Sequence, residues 1–231
     1  MRILALDTST EYLSLALLLD EQCLLRDSHA LQSHSAQILP QIQQMLQQTD
    51  CQLSDLDAIA FGAGPGSFTG LRIACGVAQG LAFANDLPVV AVSTLQALAA
   101  QSEHDKLIAC LDARMGEVYL AAYQRVQDEY QTLLAPCLCR PDQAPAILNS
   151  QPAEWRGVGT GWQVYGAELQ ARYAQQLAPT YVDDSVVYPS AATIAKLAVG
   201  QIARGEVLSA AQASPIYVRN KVALTTQERQ V

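Results

Sequence analysis

The chain has 231 residues, half of them hydrophobic and 16% charged, which is enough apolar material for a packed core and argues against disorder. Its net charge of −8 at pH 7, with only three lysines, leaves no basic stripe for direct nucleic-acid binding. No apolar run approaches the roughly 20 residues that span a membrane, and the N-terminus lacks a signal-peptide pattern. We therefore expect a cytoplasmic α/β protein with no membrane contact, built as one large or two small domains.

Hydrophobic periodicity predicts the elements of the first half in chain order. They are strands at 2–7, 12–19 and 22–27, a helix at 35–48, a strand at 58–61, a helix at 68–83, a strand at 89–92 and a helix at 94–101. In the second half we predict strands at 107–112, 118–126 and 132–137, a short helix at 141–149, a glycine-rich turn at 156–161 after a short strand, and helices at 162–173 and 191–204.

The two halves resemble each other. LALDTSTEYLSLA at 4–16 can be laid over ACLDARMGEVYLA at 109–121, an offset of 105 residues that is close to half the chain. Each copy is an apolar strand that ends in aspartate, a short turn and a second strand. This indicates an internal duplication. We predict a first lobe at 1–103, a second lobe at 104–213 and an extended tail at 214–231.

The segment FGAGPGSFTGLRI at 61–73 is a glycine-rich turn between a strand and a helix. It lacks the lysine of a phosphate-binding P-loop and does not fit the G-x-G-x-x-G dinucleotide pattern. Two interpretations remain: backbone amides that hold an anion, or glycines that permit a sharp turn and close packing. Ser67 or Thr69 is the expected N-cap of the helix.

The helix after this turn is rich in small residues at spacings of four, which lets another helix approach closely. They are Gly70, Ala74, Gly76, Ala78, Gly80, Ala82 and Ala84. Each glycine costs about 1 kcal/mol of helix stability relative to alanine, and a close partner would offset this cost. The partner is either another part of this chain or a second protein.

Polar residues at one strand end leave a similar choice. Asp7, Ser9 and Thr10 could bind a metal-nucleotide phosphate, or they could cap the turn with short side chains. The six cysteines contain no C-x-x-C pair, and the three histidines contain no H-E-x-x-H motif. Cys23, Cys75 and Cys110 lie among apolar neighbours, so we expect buried free thiols in a reducing compartment, with no metal site and no resident cofactor.

Taken together, six motifs between residue 3 and about residue 220 resemble the TsaB (YeaZ) family. They are ILALDTST, GPGSFTGLRI, VVAVSTL, LDARMGEVY, GVGTGW and PIYVRN. The resemblance implies a duplicated actin-like (ASKHA, RNase-H-like) fold with two βββαβα-type lobes. It also implies a role beside TsaD and TsaE in attaching threonylcarbamate to adenosine 37 of tRNA (t6A).

The resemblance makes the turns at Asp7 and Asp112 the two ancestral phosphate loops and places Gly159 and Gly161 near the ancestral adenosine site. The second turn carries Arg114 where a phosphate would need free amides, so at most vestigial nucleotide binding is expected at Asp7, Ser9, Thr10, Asp112, Gly159 and Gly161. The H-x-x-x-H metal pair of TsaD falls on Thr94 and Leu98, neither of which replaces imidazole as a ligand.

The resemblance therefore implies a non-catalytic subunit that docks on TsaD through the helices at 35–48 and 68–83. The expected interface residues are Ile38, Ile42, Met45, Gly70, Ala74, Val77, Ala78 and Leu81. TsaE would join through the complex, tRNA would be contacted only indirectly, and the chain alone would form a homodimer. The alternatives are an ATP-dependent small-molecule kinase of the same superfamily, a plain interaction module, and a peptidase, for which no nucleophile–base pair is visible.

Overall fold

A computed structural model describes residues 1–30, 33–127, 129–147 and 154–218. The strands are β1 Arg2–Asp7, β2 Tyr12–Leu19, β3 Gln22–His29, β4 Ala58–Gly64, β5 Val89–Ser93, β6 Lys106–Arg114, β7 Glu117–Val126, β8 Glu129–Cys139, β9 Trp155–Val158 and β10 Leu177–Val182. The helices are α1 His34–Gln48, α2 Phe68–Asn85, α3 Thr94–Ala99, α4 Thr160–Tyr173 and α5 Ala191–Ala203, with 3₁₀ helices at Leu53–Asp55 and Pro141–Gln143.

The two sheets have the same strand order. The first runs β3-β2-β1-β4-β5 and the second β8-β7-β6-β9-β10. In each sheet the first three strands are antiparallel neighbours, and the last two lie parallel to the first strand. The predicted duplication is therefore present in the strand topology as well as in the sequence.

Helices and sheets alternate in five layers. Helices α1 and α2 cover the outer face of the first sheet, and α4 covers the outer face of the second. Helices α3 and α5 lie between the two sheets. Strands β1, β2 and β4 of the first sheet are thus buried on both faces, which explains their continuous apolar runs.

Each of the two central helices packs on the sheet of the other half. Helix α3 follows β5 of the first sheet but packs on β6 and β7, whereas α5 follows β10 of the second sheet but packs on β1, β2, β4 and β5. Ala191, Ile194, Ala195 and Ala198 of α5 lie against the first sheet. The boundary at 103/104 stays a prediction, but the last helix of the second half completes the core of the first.

Most predicted elements match the structure, with a few differences. Strand β10 was missed because Pro179 interrupts its pattern, so the second half has five strands where four were predicted. Residues 156–158, predicted to belong to the glycine-rich turn, lie in β9. The helix predicted at 141–149 is only a 3₁₀ turn at Pro141–Gln143, and 148–149 lie outside the described residues, as does the tail from 219 to 231. Cys23, grouped by sequence with buried thiols, is exposed.

No helix among the described residues has the length and apolar character needed to cross a membrane.

Candidate functional site

The two aspartates at offset 105 make the same local structure. Asp7 Oδ1 accepts from Ser9 N at 2.9 Å, and Asp112 Oδ1 accepts from Arg114 N at 2.8 Å. In each case a carboxylate at the end of the first strand bonds the amide two residues ahead, as in an Asx turn. The side chains then differ, because Ser9 Oγ also donates to Asp7 (2.7 Å), whereas the Arg114 guanidinium pairs with Asp112 (3.0 Å).

Asp7 is sealed inside the first half. Its side chain is buried, and its second oxygen, Oδ2, has no hydrogen-bond partner. That oxygen lies against Gly62 of β4, where a Cβ would collide with it, and beyond it is Ile194 of α5. Burial raises the pKa of Asp7 to about 6, although the hydrogen bonds from Ser9 lower it.

This raised pKa predicts that the stability of the protein depends on pH, and that Asp7→Asn removes this dependence. Between the usual value of 3.8 and about 6, the folded protein binds more protons than the unfolded chain. The free energy of unfolding therefore falls by about 3 kcal/mol in total as the pH rises from below both pKa values to above both, and it is level at higher pH. Relative to wild type, Asp7→Asn should gain about 2 kcal/mol between pH 4 and pH 7 in urea unfolding.

The exposed Asp86→Asn variant, at the left-handed C-cap of α2, is the matched control and should keep the wild-type profile. Parallel pH profiles for Asp7→Asn and wild type would contradict a buried carboxyl of raised pKa.

The glycine-rich loop packs directly on the Asp7 turn. Ser67 N donates to Ser9 O at 2.8 Å, and Thr8 Oγ1 donates to Gly70 O at 2.6 Å. A Cβ on Gly66 would lie 2.7 Å from Ser9 O, and one on Gly70 would overlap the Thr8 carbonyl. The glycines thus permit close packing between two loops, and Ser67 caps α2 through Gly70 N, as predicted.

A cleft of about 840 Å³ lies between the two Asp turns. Of the nucleotide-site candidates, Ser9, Thr10 and Asp112 line it, together with the glycine-rich loop, Arg114 and Thr160. Asp7 does not, because it lies behind Ser9. The structure therefore brings three of the six candidates to one cleft.

The other two candidates, Gly159 and Gly161, serve packing instead. A Cβ on Gly159 would lie 2.6 Å from a Leu98 methyl group, and its φ of +101° also favours glycine. Gly161 abuts Cys110 of β6 in the same way. Neither lines the cleft, although Thr160 between them does, so their place at an adenosine site stays a prediction.

Comparisons with known proteins agree with this architecture. The family model described as "TsaD: tRNA N6-adenosine threonylcarbamoyltransferase" matches residues 28–223. The chain is 36% identical over 228 residues to the tRNA threonylcarbamoyladenosine biosynthesis protein TsaB of Escherichia coli (strain K12), with 96% of each chain covered. The chain belongs to the TsaB family. The protein of that name from Haemophilus influenzae (strain ATCC 51907 / DSM 11121 / KW20 / Rd) is likewise 36% identical, covering 96% of this chain and 95% of its own.

Solved structures of similar chains have the same fold. YeaZ from Pseudomonas aeruginosa is 39% identical, with a TM-score of 0.81 over 94% of this chain and 99% of that one. A Pseudomonas aeruginosa protein described as similar to peptidase YEAZ is 38% identical, with a TM-score of 0.83 and the same coverage. The predicted TsaB resemblance and the duplicated α/β fold are confirmed.

The positions assigned to the metal pair of TsaD have structural roles in this TsaB-family chain. Thr94 is fully buried and its Oγ1 accepts from Gly64 N at 3.0 Å, while Leu98 lies in the core of the second half. Neither can supply a nitrogen ligand, so these residues do not fit the metal. No group of three or more His, Cys, Asp or Glu side chains in the described ranges is arranged to hold a metal ion.

The predicted partner residues point mostly into this chain's own core. Six of the eight are buried there: Ile38, Ile42, Met45, Gly70, Ala74 and Ala78. Val77 and Leu81 are partly buried against the same cluster. The predicted residues thus share one face of each helix, but that face packs on the first sheet. The six buried residues are therefore not available to a partner in the folded chain, and the docking role of the two helices stays a prediction.

The opposite faces of the two helices contain apolar and small residues open to solvent. Gly76, Gly80 and Ala84 of α2 are exposed, and a Cβ on either glycine would meet nothing within 4 Å. Phe83 is 81% exposed and Leu39 of α1 is 51% exposed. We call the surface of these five residues the α2 face. A groove of about 360 Å³ beside it is lined by Leu46, Leu53 and Leu81, among others.

Proposed function

We propose that this chain is a non-catalytic subunit of the t6A machinery that binds TsaD through the α2 face and activates it. The proposal rests on one observation: a chain with the fold of the transferase model has threonine and leucine at the metal positions. The exposed glycines of α2, Gly76 and Gly80, support it, because they lower helix stability and a Cβ on either would meet nothing in the described chain.

The net charge of the chain supports a complex in which another subunit contacts the tRNA. With a net charge of −8, the chain has little to offer tRNA phosphates, so TsaD would make most tRNA contacts. TsaE would join through the complex in the cytoplasm. No cofactor is needed for this role. In the cleft, Asp112 is already paired with Arg114, so we expect nucleotide binding that is vestigial at most. In the absence of TsaD, a second copy would cover the same face in a homodimer.

The test is transfer of threonylcarbamate to tRNA by matched TsaD and TsaE, with threonylcarbamoyl-AMP supplied, in the presence and absence of this chain. We expect no transfer by the chain alone and substantial transfer only when all the proteins are present. Equal transfer without it would contradict the proposal. ATP turnover by the isolated chain would favour the kinase alternative, which the sealed position of Asp7 does not support.

A further inference from the structure

The C-terminal segment after α5 returns across the molecule as a strap. Leu208 pairs with Val89 at the edge of the first sheet, with N–O distances of 2.8 Å in both directions. Ala213 is buried against α2, where its carbonyl accepts from Gln79 Nε2 at 2.9 Å. Ile216 N then donates to Ala63 O of β4 at 2.7 Å. The strap thus crosses α2 and reaches the carboxyl end of a central strand.

The last described residues of this strap lie in the cleft. Ile216, Tyr217 and Val218 line it, opposite Asp112 and Arg114 of the second half. The Ile216 carbonyl lies against Gly64, where a Cβ would come within 2.6 Å of it. Val218 packs on the core cluster of the second half. One short segment therefore contacts both halves across the cleft.

An arginine of α2 contacts the last described residues of the strap. Arg72 Nε donates to the Tyr217 hydroxyl at 2.9 Å, and its guanidinium carbon lies 3.8 Å from the centre of the Phe68 ring. The Phe68 and Tyr217 rings are 5.4 Å apart. Ile216 and Tyr217 are nevertheless 46% and 45% exposed, so the strap is held by a few surface contacts rather than by deep burial.

In open α/β sheets, ligands enter the crevice outside the carboxyl ends of the strands. Here this chain's own backbone occupies that position at β4. We propose that residues Ser214–Val218 are a latch that closes the cleft and opens as a unit of its own while both sheets stay folded. The latch goes beyond the proposed function, and its test uses the chain alone, so the two can fail separately.

The test is native-state hydrogen exchange of the full chain, comparing the Ile216 amide with the amides of β1 and β4. Arg72→Ala removes the hydrogen bond and the ring contact together, so Ile216 exchange should accelerate about tenfold or more with no change in the strands. Tyr217→Phe removes only the hydroxyl and should accelerate it about threefold. The partly exposed Arg26, whose partners Gln44 and Gln48 lie on α1, provides the control: Arg26→Ala should leave Ile216 exchange unchanged.

Two outcomes would overturn the latch. If Arg72→Ala accelerated Ile216 and the strand amides equally, the segment would open only with the whole fold. If Ile216 exchanged at the wild-type rate in both variants, the Arg72 cluster would not hold the segment.

Discussion

Replacing Gly76 by arginine should weaken binding to TsaD by about a hundredfold or more while leaving the chain folded. Gly76 is exposed on α2, and a Cβ there meets nothing in the described chain. An arginine side chain would project from the centre of the α2 face and place a desolvated charge in an interface that needs close helix approach. The isolated helix would gain stability, because arginine is a far better helix former than glycine.

The matched control is Gly76→Ala, which adds one methyl group and stabilises α2 without introducing charge. Titration calorimetry with TsaD, together with thermal unfolding of each variant, separates lost binding from lost folding. Unchanged affinity of Gly76→Arg for TsaD would remove the α2 face from the proposal. The buried Ala78 would be unsuitable for this experiment, since a charge there would disrupt the core.

Gly70→Ala, two turns earlier on the same helix, should have the opposite effect and destabilise the fold by about 3 kcal/mol. Its Cβ would overlap the Thr8 carbonyl, a backbone atom that moves only if the Asp7 turn shifts. That shift would also disturb the 2.6 Å bond from Thr8 Oγ1 to Gly70 O.

Thermal unfolding of Gly70→Ala and Gly76→Ala compares a closely packed glycine with an exposed one. For a chain of this size, Gly70→Ala should lower Tm by about 10 °C, while Gly76→Ala should leave it unchanged or raise it. Equal effects of the two substitutions would mean that the loop and the Asp7 turn are not closely packed.

The sequence predicted most strands, the repeat and the family, because buried runs and the Asp turns leave local patterns. It did not reveal which side of α2 is buried. Small residues form two stripes on this helix, one containing Gly70, Ala74 and Ala78 and the other Gly76 and Gly80. Periodicity treats the two alike, and only the position of the helix over β4 buries the first.

Features that depend on contacts between residues far apart in the chain were also not predictable from the sequence. The latch at Ser214–Val218 has no hydrophobic periodicity and is held by partners more than a hundred residues away in the sequence, such as Arg72. The sequence identified the polar residues of the Asp7 turn. It did not reveal that the carboxylate is buried, because the burial depends on Gly62 and Ile194. In the candidate site, the residue types were therefore predictable, whereas their exposure was not.

The position of α5 has a consequence for synthesis on the ribosome. The strands of the first sheet are complete at Ser93, but the helix that covers its inner face ends only at Ala203. At typical translation rates, that apolar face stays uncovered for about ten seconds. Nascent chains of this protein should therefore be substrates for chaperones that bind exposed aliphatic surface, and release before residue 203 should favour aggregation over a stable half-molecule.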